Sequence, residues 1–232
     1  MILGKMLPTG VSTPLTIERF NANTTWICPV DVTSIHVYCI GAGGTGGGGL
    51  LSGIYGGGGG GAYAYSLVTV TPGVSYSIIA GGNSDAIFRR TSDSLVYVFA
   101  VKGTEGHSEE GGPGGQASLC IGSIKYSGGN GANPLSENYS GAGGSAALNT
   151  NGINATTYEQ VGITGYLPVG DNTFTINTYG ASGLTSPSGR GLDSSTSIEY
   201  AGGGGGGGWS TSGSAFGGSG ARALVVIKYQ GS

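Results

Sequence analysis

Runs of glycine recur along this 232-residue chain, between segments that read as β-strands. They lie at 41–49 (interrupted by Ala42 and Thr45), 56–61, 111–115 (broken by Pro113), 128–131, 141–144, 202–208 and 217–220. Glycine loses more conformational freedom on folding than any other residue, so ordering these runs requires a compensating interaction. Flexible linkers join domains once or twice; they do not alternate with core strands. Glycine and proline together make about a quarter of the chain, roughly twice the usual share, and that composition alone would signal disorder. Against disorder stand 13 tyrosines and a charged fraction of only 9%, since solvated disordered chains are rich in charge. The chain therefore reads as a folded domain, long enough for one sizeable core or two small ones.

One physical solution for the glycine is polyglycine II, an extended left-handed helix with three residues per turn and a rise of about 3.1 Å. Lacking Cβ atoms, such helices can pack side by side, with N–H groups aimed at neighbouring carbonyls and weak Cα–H···O contacts added. The seven residues Gly202–Gly208 would span about 22 Å. An inward side chain would wedge such a lattice apart, and the connecting loops would gather at its ends.

The strands come from period-two patterns. Thr24–Cys28 reads as a strand ended by Pro29. Ser34–Ile40 places Ile35, Val37 and Cys39 on one face and Ser34, His36 and Tyr38 on the other. Ala62–Val70 and Val74–Ala80 flank Thr71-Pro72-Gly73, which fits a type II turn and predicts a hairpin. Leu95–Val101 and Ala223–Tyr229 are nearly unbroken apolar runs, expected to be buried on both faces. No window combines helical periodicity with good helix formers. The expected fold is all-β, with antiparallel strands, packed polyglycine II helices and essentially no α-helix. Residues 1–22 lack glycine runs and form an attachment arm or a flexible terminus. Residues 23–232 form the glycine-rich β domain, with a glycine-poor insertion at 145–200.

Several functions are excluded. Nine basic against 12 acidic residues give a net charge of −3, and no Lys/Arg cluster could neutralise a run of phosphates, so nucleic acid is not an expected partner. No apolar run approaches the roughly 20 residues of a membrane helix, and the start of the chain has no signal-peptide h-region. Cys28, Cys39 and Cys120 are odd in number and lack CxxC spacing, so they read as buried, reduced hydrophobes. Gly41-Ala42-Gly43-Gly44-Thr45-Gly46 satisfies G-x-G-x-x-G after a strand, but more glycine follows where a helix should open. The first acidic residue after it is Asp85, too far on to bind a ribose. Glu105, His107, Glu109 and Glu110 read as a solvated acidic loop rather than a cation site. Asp85, Arg89, Arg90 and Asp93 read as an exposed charged loop, and His36 as a structural histidine. No serine is marked by a nucleophile elbow. Neither enzyme activity, metal nor cofactor is expected.

Thr25-Trp26-Ile27-Cys28-Pro29 with Val32-Thr33-Ser34-Ile35-His36-Val37 resembles the opening T-W-x-x-P-x-x-V-x-x-V-x-V of the glycine-rich domain of bacteriophage tail-fibre proteins. Gly56–Gly61 running into Ala62-Tyr63-Ala64, then Val68–Ile78, is similar to that family's second block. Gly202–Gly208 with Gly217–Ile227 is similar to its closing strand. The resemblance covers about residues 20–229. It implies a virion component, commonly a tail-fibre or tail-tip adhesin, with packed polyglycine II helices and receptor-reading loops. No catalytic residues are carried over. The expected target is host lipopolysaccharide or an outer-membrane protein, with other virion proteins held through residues 1–22. A homo-oligomer is compatible with this reading, although no heptad stalk enforces one. The rival expectation is a capsid decoration or tail-assembly protein without a receptor. Aromatic side chains on rigid loops suit sugar rings and apolar protein patches, so Tyr158, Tyr166, Phe174 and Tyr179, followed by Tyr139 and Trp209, are the candidate receptor contacts.

Overall fold

A computed structural model describes residues 14–50, 53–108, 110–134, 150–155, 201–210 and 212–231, residues 141, 143, 144, 147 and 180, and the strand backbones 164–166 and 175–177. In chain order these residues form β1 (Leu15–Phe20), β2 (Thr24–Ile27), β3 (Ser34–Ile40), β4 (Gly53–Ile54), β5 (Tyr63–Thr69), β6 (Ser75–Ile79), β7 (Ala86–Arg90) and β8 (Val96–Ala100). One turn of 3-10 helix (Ala117–Leu119) precedes β9 (Ile124–Tyr126), β10 (Thr164–Tyr166), β11 (Thr175–Asn177), β12 (Trp209–Ser210) and β13 (Leu224–Gln230). Among the described residues there is no α-helix, and the fold is all-β with antiparallel pairing.

Two sheets share a core: a five-stranded one in the order β1-β13-β3-β5-β9 and a four-stranded one in the order β2-β6-β7-β8. Alternation along β3 sends Ile35, Val37 and Cys39 into that core. There they join Val225, Ile227 and Val68 of their own sheet and Trp26, Tyr76, Ile78, Phe88 and Val98 of the other. The ring of Trp26 lies 5.8 Å from Tyr76, 6.3 Å from Phe88 and 5.9 Å from Tyr229. Its indole N–H donates to Glu18 Oε1 at 2.9 Å, and the Tyr229 hydroxyl donates to the same oxygen at 2.9 Å. The three cysteines are free and buried.

The other face of the five-stranded sheet carries a second core of Tyr38, Ile40, Tyr63, Tyr65, Leu224 and Val226. β13 is thus buried on both faces through Ile227, as its apolar run predicts. His36 Nδ1 lies 2.9 Å from the Tyr65 hydroxyl, which makes it the structural histidine expected.

Three expectations are corrected by the strand assignment and pairing. Pro72-Gly73 does make the turn: Gly73 has φ +75°, and Val74 N–H donates to the Thr71 carbonyl at 3.1 Å. No hairpin results, because β5 pairs with β3 and β9 while β6 pairs with β2 and β7. The turn sets a reversal of direction but not the partner, and it carries the chain from one sheet to the other. β8 is an edge strand on which only Val98 and Ala100 are fully buried, so the double-sided burial expected of Leu95–Val101 does not occur. Arg89 and Arg90 end β7 instead of lying in a loop. Arg90 pairs with Asp93 across the turn into β8, and this hydrogen-bonded pair holds the Asp93 carboxyl down at about 2. Residues 15–20, inside the segment read as an arm or free terminus, are the edge strand β1 on β13.

The strands lead directly into the extended segments of a glycine-rich block, although the one after β8 has glycine only at 103 and 106. β3 continues into 41–49, β8 into 101–107 and β9 into 127–132, while 56–62 leads into β5 and 215–223 into β13. The run 56–61 is the axis of a block. Its N–H groups donate to three neighbours in rotation, at 2.7–3.0 Å: Gly56 and Gly59 to His107 and Thr104, Gly57 and Gly60 to Ala132 and Gly129, and Gly58 and Gly61 to Gly205 and Gly202. Its carbonyls accept from three others in the same rotation, at 2.8–3.1 Å: Gly56 and Gly59 from Gly47 and Gly44, Gly57 and Gly60 from Gly112 and Gly115, and Gly58 and Gly61 from Gly144 and Ala147. Six segments therefore surround one, each meeting it every third residue.

The six close into a ring. Gly103 donates to Ala42, Thr104 to Pro113, Gly128 to Gly115, Gly204 to Gly144 and Gly205 to Gly44. At the remaining junction a Cβ on Gly144 would overlap the Gly129 carbonyl. The axis has no room for side chains: a Cβ on Gly58, Gly59 or Gly61 would land on the carbonyl of Gly44, Pro113 or Gly41. The interrupting residues Thr104, Pro113 and Asn130 are exposed, on the outside of the block.

Candidate recognition face

The direction of each run follows from its hydrogen-bond register. Donation from Gly41, Gly44 and Gly47 to Ala62, Gly59 and Gly56 makes 41–47 antiparallel to 56–62. By the same test 101–107, 128–132 and 202–208 also leave the sheets, whereas 112–115, 141–147 and 215–221 return. The run ends Gly49 and Tyr55, His107 and Glu110, Ala132 and Gly141, and Gly208 and Ala215 therefore gather at the end of the block away from the sheets.

This end is tied together by backbone pairing. Gly49 and Ala215 exchange two hydrogen bonds of 2.8 Å, Tyr55 bridges Ser108, and β12 pairs with β4 so that Trp209 faces Ile54. Tyr55 N–H donates to Gly208 at 3.1 Å, and its carbonyl accepts from Gly141 at 3.0 Å. The Tyr55 ring is buried beneath Gly49, where an added Cβ would strike its hydroxyl. Above this floor Leu50 is 83% exposed and Phe216 59%, among exposed His107, Ser108 and Glu110. The arrangement is two exposed apolar side chains, each next to a paired residue (Gly49 or Ala215), with polar groups around them.

Of the candidate contacts named from sequence, Trp209 has its backbone at this face. Tyr166 pairs with Thr175 at the end of the β10–β11 ladder. Tyr139, Tyr158, Phe174 and Tyr179 lie outside the described residues, as does Glu109. The sequence reading missed Leu50, Tyr55 and Phe216. The available signal was position, since each one flanks a glycine run.

The G-x-G-x-x-G segment opens no helix. Gly41 and Gly44 donate to Ala62 and Gly59, and Gly43 and Gly46 to Ala221 and Gly218. These N–H groups are committed to the lattice, so they cannot cradle a phosphate. A groove of about 410 Å³ lies elsewhere, where Asn21, Asn23, Gly81, Gly82, Ser84 and Arg222 meet. Its polar groups mostly serve the fold: Asn23 Oδ1 accepts from Ala80 N–H at 3.0 Å, and Ser84 Oγ donates to the Gly81 carbonyl at 2.7 Å. Among the described residues no group of three His, Cys, Asp or Glu could hold a metal ion.

The fold and this face define an all-β protein whose sheets carry a glycine block with its run ends at one face. The chain belongs to the glycine-rich domain family, which matches residues 19–230. No curated protein matches it.

Proposed function

We propose that this chain is a bacteriophage virion protein, a tail-fibre or tail-tip adhesin that binds lipopolysaccharide or an outer-membrane protein on the host, without catalysis. The observation that carries this reading is the gathering of the run ends on one face of an eight-run block. We read the runs as polyglycine II helices, because each neighbour is met every third residue and that helix has three residues per turn. The axial run then rises about 19 Å. Every N–H and carbonyl of the axial run is bonded, so the block is a stiff platform. A surface held in its binding shape loses little further entropy on contact. Leu50 and Phe216 supply apolar and aromatic area for sugar rings or protein patches. Attachment to other virion proteins falls to the sheet end, where β1 begins.

The test is competition. Purified protein added to susceptible cells should block adsorption of the phage that encodes it, saturably. Failure to bind cells, together with binding to the phage capsid or tail tube, would replace the adhesin with the structural accessory.

A further inference from the structure

The lattice has outer edges, and two of them carry the same device. Asn130 Oδ1 accepts from Gly114 N–H at 2.9 Å, and Asn133 Oδ1 from Gly111 N–H at 2.8 Å. Asn151 Oδ1 accepts from Ser127 N–H at 2.9 Å, and Asn154 Oδ1 from Asn130 N–H at 2.8 Å. Each pair is spaced i, i+3, as are the N–H groups it serves. The first pair runs antiparallel to its target and the second parallel, so each reproduces the register of a neighbouring run. All four asparagines are exposed. At these positions inside the block the acceptor is a main-chain carbonyl. Gly57 and Gly60, for example, donate to the carbonyls of Ala132 and Gly129.

We propose that these asparagines are edge caps: their side-chain carbonyls replace the next run and keep the glycine array from continuing into a second copy of this chain. The logic is that of a sheet edge. An uncapped row of N–H groups is a template for another backbone, and a glycine run of a second copy has the matching three-residue repeat. The asparagine carbonyl fills each acceptor position. Its amide nitrogen then faces outward, and a donor there cannot satisfy the donors of an incoming run.

The test compares Asn130→Ala/Asn133→Ala with Asn130→Asp/Asn133→Asp, which keeps the acceptor oxygen. The unaltered protein and the aspartate variant should sediment alike from 1 to 100 µM (about the range over which weak association shows). The alanine variant should associate as concentration rises, with amide exchange at Gly111 and Gly114 at least tenfold faster when dilute. Equal association by the alanine and aspartate variants would overturn the proposal, as would an alanine variant with unchanged sedimentation and exchange. Should the alanine variant fail to fold, exchange in the unaltered protein decides. Protection of the Gly111, Gly114, Ser127 and Asn130 amides supports capping, and free-peptide rates there refute it.

Discussion

A methyl group on Gly59 would sit on the carbonyl of Pro113, whereas one on Gly73 would meet nothing within 4 Å. The two positions separate the uses of glycine in this chain. Gly73 has φ +75° and serves a turn; alanine there bears only the left-handed backbone cost, about 1–2 kcal/mol. Gly59→Ala has no local relief, because the obstacle is backbone on the axis of the block. It should cost about 3 kcal/mol or more, at the upper end of overpacking effects, and Gly205→Val, aimed at the Gly218 carbonyl, should prevent folding. Denaturant unfolding of these variants checks the order. Residue chemistry also sets an alkaline limit. Burial, and then Glu18, pushes the Tyr229 hydroxyl up to about 12, and burial pushes Tyr63 and Cys39 upward as well. These groups are raised in the folded state, so their contribution is intact below the unfolded values of 9 to 10 and lost as pH climbs through the folded ones. The urea midpoint should hold steady from pH 7 to 9 and fall between pH 10 and 12, less steeply in Tyr229→Phe.

Elements were legible where a single pattern decided them. Ser34–Ile40 became β3 with the bounds read from its alternation, and the apolar run at the C-terminal end became the doubly buried β13. β7 was obscured because Ala86-Ile87-Phe88 ends in two arginines, which read as a loop. The β5–β6 hairpin failed because a local turn cannot show which sheet each strand joins. The axis of the block was illegible for a related reason: 56–61 looks like 202–208 in sequence, and only the six-sided pairing distinguishes them. Ordering a glycine costs about 1–2 kcal/mol, and a backbone hydrogen bond returns about 1 kcal/mol net, so the runs need the sheets that anchor them. Trp26→Ala, which empties the centre of the intersheet core, should cost about 3–5 kcal/mol. It should also melt sheets and block in one transition, with amides of 56–61 losing protection at the same midpoint as those of β3.

At the scale of the whole molecule, the sheets set a base, the block sets a distance and the run ends set a face. The candidate face was only partly legible: Trp209 was named, but Leu50 and Phe216 stand out only once the runs are given their directions. Both side chains are exposed, so Leu50→Glu and Phe216→Glu should leave the melting temperature unchanged. They should weaken competition for adsorption about tenfold each if they are contact residues, a typical loss for a buried apolar contact. The most direct measurement of the central claim is immunogold labelling of intact virions with an antibody to this chain. The account predicts gold at the distal end of the tail or its fibres. Gold distributed over the capsid would contradict it and leave a decoration protein whose glycine block is a spacer.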